Sequence, residues 1–305
     1  MALIVPDDEG LKKMKAGFGA GDSNEAEDMA AIKSWFEKQP HLPKIMDDKM
    51  MLRFLHGAKY SMERCKQLLD MYFTVRSCAP EFFAERDISS PEMKRALDNT
   101  YILPMPKLMS NGVRVTVHGM FHPEEDNFQF LETMKLVFMV GDVRMFEDLC
   151  AGDQVVFDMR GSVISHLGQL TLPIVRKFMI CGQSAYPSRL QGIHLLNVPS
   201  YLDKFLALFK PLMKDKLADR IHVHPDMDSL HKFIEKECLP KEFGGTAGDL
   251  KDLNAAWRAN LESYREWFNT KGIIKADESK RPGGKPITQD DLFGLDGSFR
   301  QLNVD

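Results

Sequence analysis

The chain has 305 residues, 44% of them apolar, and a formal net charge of −4. At this length one large domain with a smaller appendage is expected rather than a single simple core. The negative balance excludes the bulk basicity that holds nucleic acid, so any contact with an anionic surface has to come from a local patch. Five cysteines, Cys65, Cys78, Cys150, Cys181 and Cys238, are scattered and odd in number. They fit neither a disulfide framework nor a metal-ligand spacing and favour a reducing compartment. The N-terminus lacks a basic region followed by a long apolar core, and no apolar run is long enough to span a bilayer. These features predict a cytoplasmic protein.

In chain order, residues 1–24 are rich in Gly and Asp and read as a loose lead-in. An amphipathic helix then places Met29, Ile32, Trp35 and Phe36 on one face, and Met51, Leu52 and Leu55 continue helical spacing up to Gly57. Ser61 is a candidate N-cap for a helix turning Cys65, Leu68, Leu69, Tyr72 and Phe73 inward. Residues 25–80 therefore form an all-helical unit. From Gly112 to Gly119 the pattern alternates strictly, as in an edge strand with one buried and one polar face. A helix is expected from Asn127 to Cys150, a strand at 155–159, a helix from Thr171 to Ala185, a strand over 192–198 and a short strand over 220–224. Strands alternating with helices predict an α/β domain over 90–246, a mostly parallel sheet covered by helices. One further helix around Trp257, Tyr264 and Trp267 and an irregular tail complete residues 247–305.

The chemistry of an enzyme is missing from this pattern. There is no Gly-x-Gly-x-x-Gly after a strand, no phosphate-binding loop and no Gly-x-Ser-x-Gly elbow. Asp158, Ser165 and His166 lie too close in sequence to assemble a triad. His222 and His224 share a strand face but have no evident carboxylate or cysteine partner, so hydrogen-bonded histidines are the ordinary reading. The expectation is a protein with no catalytic step, no cofactor and no metal.

The segment from Ser200 to Leu212 is different. Tyr201, Phe205, Leu208, Phe209 and Leu212 form one apolar strip and Leu202 and Leu206 a second, wider than burial against a core requires. Pro211 builds in a break, and Lys204, Lys210, Lys214 and Lys216 interleave with the apolar side chains. That mixture suits an element exchanging cavity contacts for membrane-interface contacts.

Taken together, Leu52-Arg53-Phe54-Leu55, Phe157-Asp158, Gly192-Ile193-His194-Leu195-Leu196-Asn197, Lys210-Pro211, Arg220-Ile221-His222-Val223-His224 and Leu239-Pro240-Lys241-Glu242-Phe243-Gly244-Gly245 resemble the CRAL-TRIO (Sec14-like) family. The likeness runs from about Met29 to Trp257 and leans to the branch that includes the α-tocopherol and retinaldehyde carriers. The tail at 291–300 is reminiscent of insect members of that branch. The resemblance implies a carrier of a hydrophobic small molecule, such as a retinoid, carotenoid, tocopherol or related terpenoid, held between the sheet and a mobile gate helix. It carries pocket positions over to Met134, Val137, Gly141, Phe157, Phe178, Cys181, Ile193 and Leu195, with Phe205 and Leu208 from the gate. It also carries over a phosphoinositide-binding cleft to Arg189, Lys216 and Arg220, with His56 where an arginine is expected. Release at phosphoinositide-containing membranes, by transient peripheral association, would follow. Phospholipid exchange, or a membrane-targeted regulatory module without obligatory cargo, are the alternatives.

Overall fold

The computed structural model describes residues 2–21, 23–44, 46–122 and 128–294. Six helices open the chain: α1 (Asp8–Gly17), α2 (Glu25–Glu37), α3 (Asp48–Gly57), α4 (Met62–Cys78), α5 (Pro80–Phe83) and α6 (Pro91–Asn99). The α/β part follows as β1 (Thr100–Leu108), β2 (Val113–Met120), α7 (Phe130–Glu147), β3 (Gly152–Asp158), α8 (Leu172–Ala185), β4 (Leu190–Leu196), α9 (Leu202–Phe209), α10 (Asp215–Ala218) and β5 (Ile221–His224). The helices α11 (Met227–His231), α12 (Leu250–Ser263), α13 (Arg265–Asn269) and α14 (Gln289–Phe293) end the described chain.

Local sequence explains most helix starts. Asp7, Asn24, Asp47, Ser61 and Ser90 each accept a backbone N–H of the first turn they cap, which satisfies donors that have no partner inside the helix. The lead-in is a correction: α1 lies within residues 1–24. Its acidic first turn suits the helix dipole, and Met14 is buried in the core that includes β1 and β2.

The sheet runs in the order β1-β2-β3-β4-β5, with β1 antiparallel to β2 and the remaining pairs parallel. The mostly parallel α/β architecture expected from the alternating pattern is therefore present. The alternating strand at Gly112–Gly119 is, however, not the edge. An additional strand, β1, pairs outside it and carries Pro104 and Pro106. Prolines argue against a central strand but are tolerated at an edge, where their missing N–H costs nothing. The register slips between Pro104 and Leu108. Gly112, at φ 79°, closes the turn between the two strands.

The helical unit is not free-standing. Ile32, Phe54, Leu69 and Tyr72 share one apolar core with Phe138 of α7 and with Cys181 and Tyr186 at α8. The segment expected as an irregular tail also returns to this unit. Arg281 pairs with Asp70 of α4 at 2.7 Å and with Glu278. Thr288 and Asp291 make a capping box for α14, and Phe293 is buried against the helices. A capping box ahead of Leu292-Phe293 was the sequence signal for that turn of helix. The part of the tail motif beyond Gly294 lies outside the described residues.

Candidate lipid-binding cavity

Between the sheet, α7, α8 and α9 lies a cavity of about 1040 Å³, at the upper end of the range for small-molecule sites, about 300–1,000 Å³. Because strand side chains alternate, every second residue faces it. The floor comprises Thr116 and His118 from β2, Val155 and Phe157 from β3, Ile193 and Leu195 from β4, and Ile221 from β5. Register places Val155 beside Ile193 and Phe157 beside Leu195. Met134, Val137 and Gly141 of α7 and Phe178 of α8 form a wall. At Gly141 a Cβ would stand 3.2 Å from the Tyr186 ring, so the missing side chain is what lets Tyr186 close the wall there.

The cover is α9. Phe205, Leu206 and Phe209 line the cavity, and the Phe205 and Phe209 rings stack with centroids 4.5 Å apart. Within α9 only Leu202 and Phe209 are buried; the other apolar side chains are half-buried or exposed. The α-helix stops at Phe209, and Lys210–Leu212 continue as a 3₁₀ turn around Pro211. The break expected at the proline is there, because proline removes a backbone donor and crowds the preceding turn.

Of the ten pocket positions, Met134, Val137, Gly141, Phe157, Phe178, Ile193, Leu195 and Phe205 line this one cavity. Cys181 and Leu208 do not. On α8 the lining face carries Phe178, Met179, Gly182 and Gln183, which leaves Cys181 fully buried in the core shared with α4. Burial there pushes its thiol pKa up. Leu208 is half-buried and packs against the cluster of Phe130, Leu170 and Val175.

The mouth is basic. Arg189, Lys216 and Arg220 come together along it, and Lys59, Arg64 and Lys214 join them. Arg189 Nη1 is buried with no hydrogen-bond partner among the described residues. Burial, with the charges of Arg220 and Arg53 nearby, lowers the pKa of Arg189. An unpaired buried guanidinium N–H raises the cost of the empty state and favours an incoming anion. His56 departs from expectation. It is 1% exposed and bonds the Cys150 carbonyl through Nε2 at 3.2 Å. Burial, with the charges of Arg53 and Arg189, pushes its pKa down to about 4. It is a neutral core group behind Phe18, whose ring packs on His56 and lies under the Arg189 guanidinium, 4.3 Å away. Lys59 and Arg64 escaped the sequence reading because they flank a helix break, where Lys59 and Tyr60 both take positive φ. Thr116 and His118 sit on the polar face that the alternation at 113–118 already marked.

The histidines of β5 meet His194: His194 Nδ1 and His224 Nε2 are 2.8 Å apart, and His194 stacks on His222. Among the described residues no group of three or more His, Cys, Asp or Glu is placed to hold a metal ion, and no helix is long and apolar enough to cross a membrane.

Residues 99–245 match the CRAL/TRIO domain, and residues 22–93 match the Pinta-like UBA domain. Alpha-tocopherol transfer protein-like from Mus musculus is 29% identical over 245 residues, covering 79% of this chain and 70% of that protein. Clavesin-1 from Rattus norvegicus is 30% identical over 209 residues, 66% of this chain and 57% of that protein. The crystal structure of Sfh5 aligns over 88% of this chain and 99% of that one with 15% identity and a TM-score of 0.44, too low to carry a conclusion. The domain match over residues 99–245 and the similarity to these two relatives place the chain in the CRAL-TRIO family of lipid-binding and lipid-transfer proteins.

Proposed function

We propose that this protein carries one hydrophobic small molecule, a terpenoid-type cargo such as a retinoid, carotenoid or tocopherol, and gives it up at membranes bearing phosphoinositides. The observation that carries the reading is the coupling of three features at one place: a cavity of about 1040 Å³ with a mainly apolar lining, a cover helix that is only partly buried, and a rim of cations. An apolar ligand gains from leaving water for such a lining in proportion to the area it buries. The rim contributes attraction to an anionic surface, on the order of 1 kcal/mol per basic residue. Val163, which lines the cavity, is 39% exposed, and Ile164 and Leu172, close to it in the chain, are 59% and 47% exposed. Apolar side chains left in water near a cavity in this way suit insertion into the lipid interface. An anionic headgroup drawn to Arg189, Lys216 and Arg220 would favour displacement of α9 and so link arrival to release.

Organic extraction of the purified protein followed by mass spectrometry tests the cargo, and transfer between vesicles with and without phosphoinositide tests release. A terpenoid in the extract, with transfer stimulated by phosphoinositide, is the expected result. A recovered glycerophospholipid would establish phospholipid exchange instead, and an empty protein that still binds vesicles would establish a cargo-free membrane module.

A further inference from the structure

Two polar side chains on the cavity floor have no hydrogen-bond partner among the described residues. Thr116 and His118 lie two residues apart on one face of β2, and both line the cavity. Thr116 is 4% exposed, and its hydroxyl is buried without a hydrogen-bond partner. The His118 ring rests on Phe157, centroids 4.8 Å apart and planes 44° to one another; among the described residues neither of its nitrogens is bonded to a protein group. Buried polar groups are nearly always hydrogen-bonded, so the buried Thr116 hydroxyl, unpaired beside a half-buried His118 that lines the same cavity, points to a ligand atom between or above them.

The register decides how a ligand would lie. Thr116 stands beside Val155 and His118 beside Phe157, and those two stand beside Ile193 and Leu195. The floor is thus polar on β2 and apolar across β3 and β4. We infer that Thr116 and His118 form a head-group subsite for a neutral oxygen function, an alcohol or a carbonyl, on a cargo whose apolar chain extends over β3 and β4 toward the gate. This rests on the reading of the cavity as a hydrophobic-cargo site and adds the cargo's polar end and its orientation.

The neutrality of the head follows from the charges around it. Asp158 is held by Tyr101, Arg160 and Asn197. Arg144 is held by Asp148 at 2.7 Å and by Asp153 at 2.5 Å. Among the described residues no unpaired cation is left on this part of the floor for a carboxylate or phosphate. Burial, with the charge of Arg144, pushes the His118 pKa down to about 3, so its imidazole is neutral. A neutral imidazole has one donor and one acceptor nitrogen, and a threonine hydroxyl both donates and accepts. An alcohol therefore gives its proton to the His118 nitrogen and receives the Thr116 proton on its oxygen. A carbonyl accepts from either. A hydrocarbon leaves both groups unpaired.

The test uses the full chain stripped of lipid and three probes: retinol, retinoic acid, and axerophtene, the hydrocarbon that lacks retinol's hydroxyl. Wild type is expected to prefer retinol to axerophtene by about tenfold or more, the worth of one or two buried hydrogen bonds, and to bind retinoic acid less tightly than retinol. His118→Phe and the near-isosteric Thr116→Val should each erode that preference while leaving axerophtene affinity equal or higher, and His118→Gln should restore part of it. A preference undiminished in folded Thr116→Val and His118→Phe overturns the subsite and leaves the cavity reading standing. Tighter binding of retinoic acid, lost on Arg189→Ala, places the head at the basic mouth and overturns it too. A wild type that takes up neither retinol nor axerophtene removes the subsite together with the hydrophobic-cargo reading.

Discussion

The carboxamide of Gln183 holds the chain at Leu212: its Nε2 donates to the Leu212 carbonyl at 3.0 Å, while its Oε1 accepts the N–H of Lys214 at 3.1 Å. One side chain of α8 thereby pins the far end of the cover just past the Pro211 break, where the backbone has lost its regular helical bonds. Each such bond contributes about 1 kcal/mol, and both must break if this end lifts. Gln183→Leu is therefore expected to raise the rate of ligand release about tenfold or more while shifting the melting temperature little. Stopped-flow transfer of a fluorescent cargo to acceptor vesicles measures it. Release no faster than wild type would mean that the cover does not open at this end.

The cationic mouth makes a separate prediction. Lys216 is exposed and rims the cavity, whereas Arg220 also donates to the Leu190 carbonyl and so supports β4. Lys216→Ala should weaken binding to phosphoinositide vesicles several-fold, at about 1 kcal/mol per cation, without changing cargo affinity. Adding Arg220→Ala should weaken it further, and raising salt should shrink every difference as the Debye length shortens. Because His56 is buried and neutral, His56→Gln should leave the pH profile of vesicle binding unchanged; a profile flattened by that substitution would return His56 to the cleft.

Acid stability follows from the same histidines. Burial holds the pKa of His56 at about 4 and those of His118 and His194 at about 3, and lowers that of His224. In the unfolded chain all four titrate near 6.5. Between those limits the unfolded state binds more protons, so stability is complete above pH 6.5 and falls as the pH drops toward 4. Each histidine contributes a slope of up to about 1.4 kcal/mol per pH unit. Asp142 and Asp148 have lowered pKa values, so their loss belongs below pH 4. Urea midpoints are expected to decline steadily from pH 6.5 to 4.5. A constant midpoint across that range would show these histidines to be accessible to protons in the folded state.

The parts of this molecule that were legible in the sequence are those dictated by local periodicity. Phe157 and Ile193 lie in apolar runs that read as strands, and Pro211 disfavours a continuous helix, so the strands and the break could be read directly, whereas the pocket role of Phe157 and Ile193 came from the family resemblance. Helix positions were harder: Phe178 and Cys181 differ by three residues and share a coarse face, yet only a neighbouring helix decides which of them meets the cavity. His56 illustrates the same limit from the other side. Its place after Leu55 in a basic motif says nothing about Phe18, which arrives from α1 and seals it away from solvent. The β1 strand was hidden because its two prolines oppose strand formation everywhere except at an edge, and edges are defined by the whole sheet.

The wall of the cavity rests on a buried charge. Asp142 accepts hydrogen bonds from Arg76 at 2.6 Å, from Arg86 at 2.5 Å, and from the phenols of Tyr72 and Tyr186 at 2.9 and 2.8 Å. One carboxylate thus joins α4, the loop after α5, α7 and the residue that follows α8. Arg76 also stacks on the Tyr72 ring at 3.5 Å, and Arg86 reaches the Gly272 carbonyl of the returning C-terminal segment. Two guanidiniums share a single fully buried anion, so removing that anion leaves both without a counter-charge in a medium that solvates them poorly. Breaking a buried pair in this way costs roughly 3–5 kcal/mol, whereas deleting one neutral partner's hydroxyl costs about 1 kcal/mol. Asp142→Asn is therefore expected to destabilise the protein several times more than Tyr186→Phe, although both substitutions are nearly isosteric. Equilibrium unfolding of the two variants in urea measures the difference. Equal, small effects would mean that water reaches the two arginines in the folded state, and the wall beside Gly141 would then be supported by packing alone.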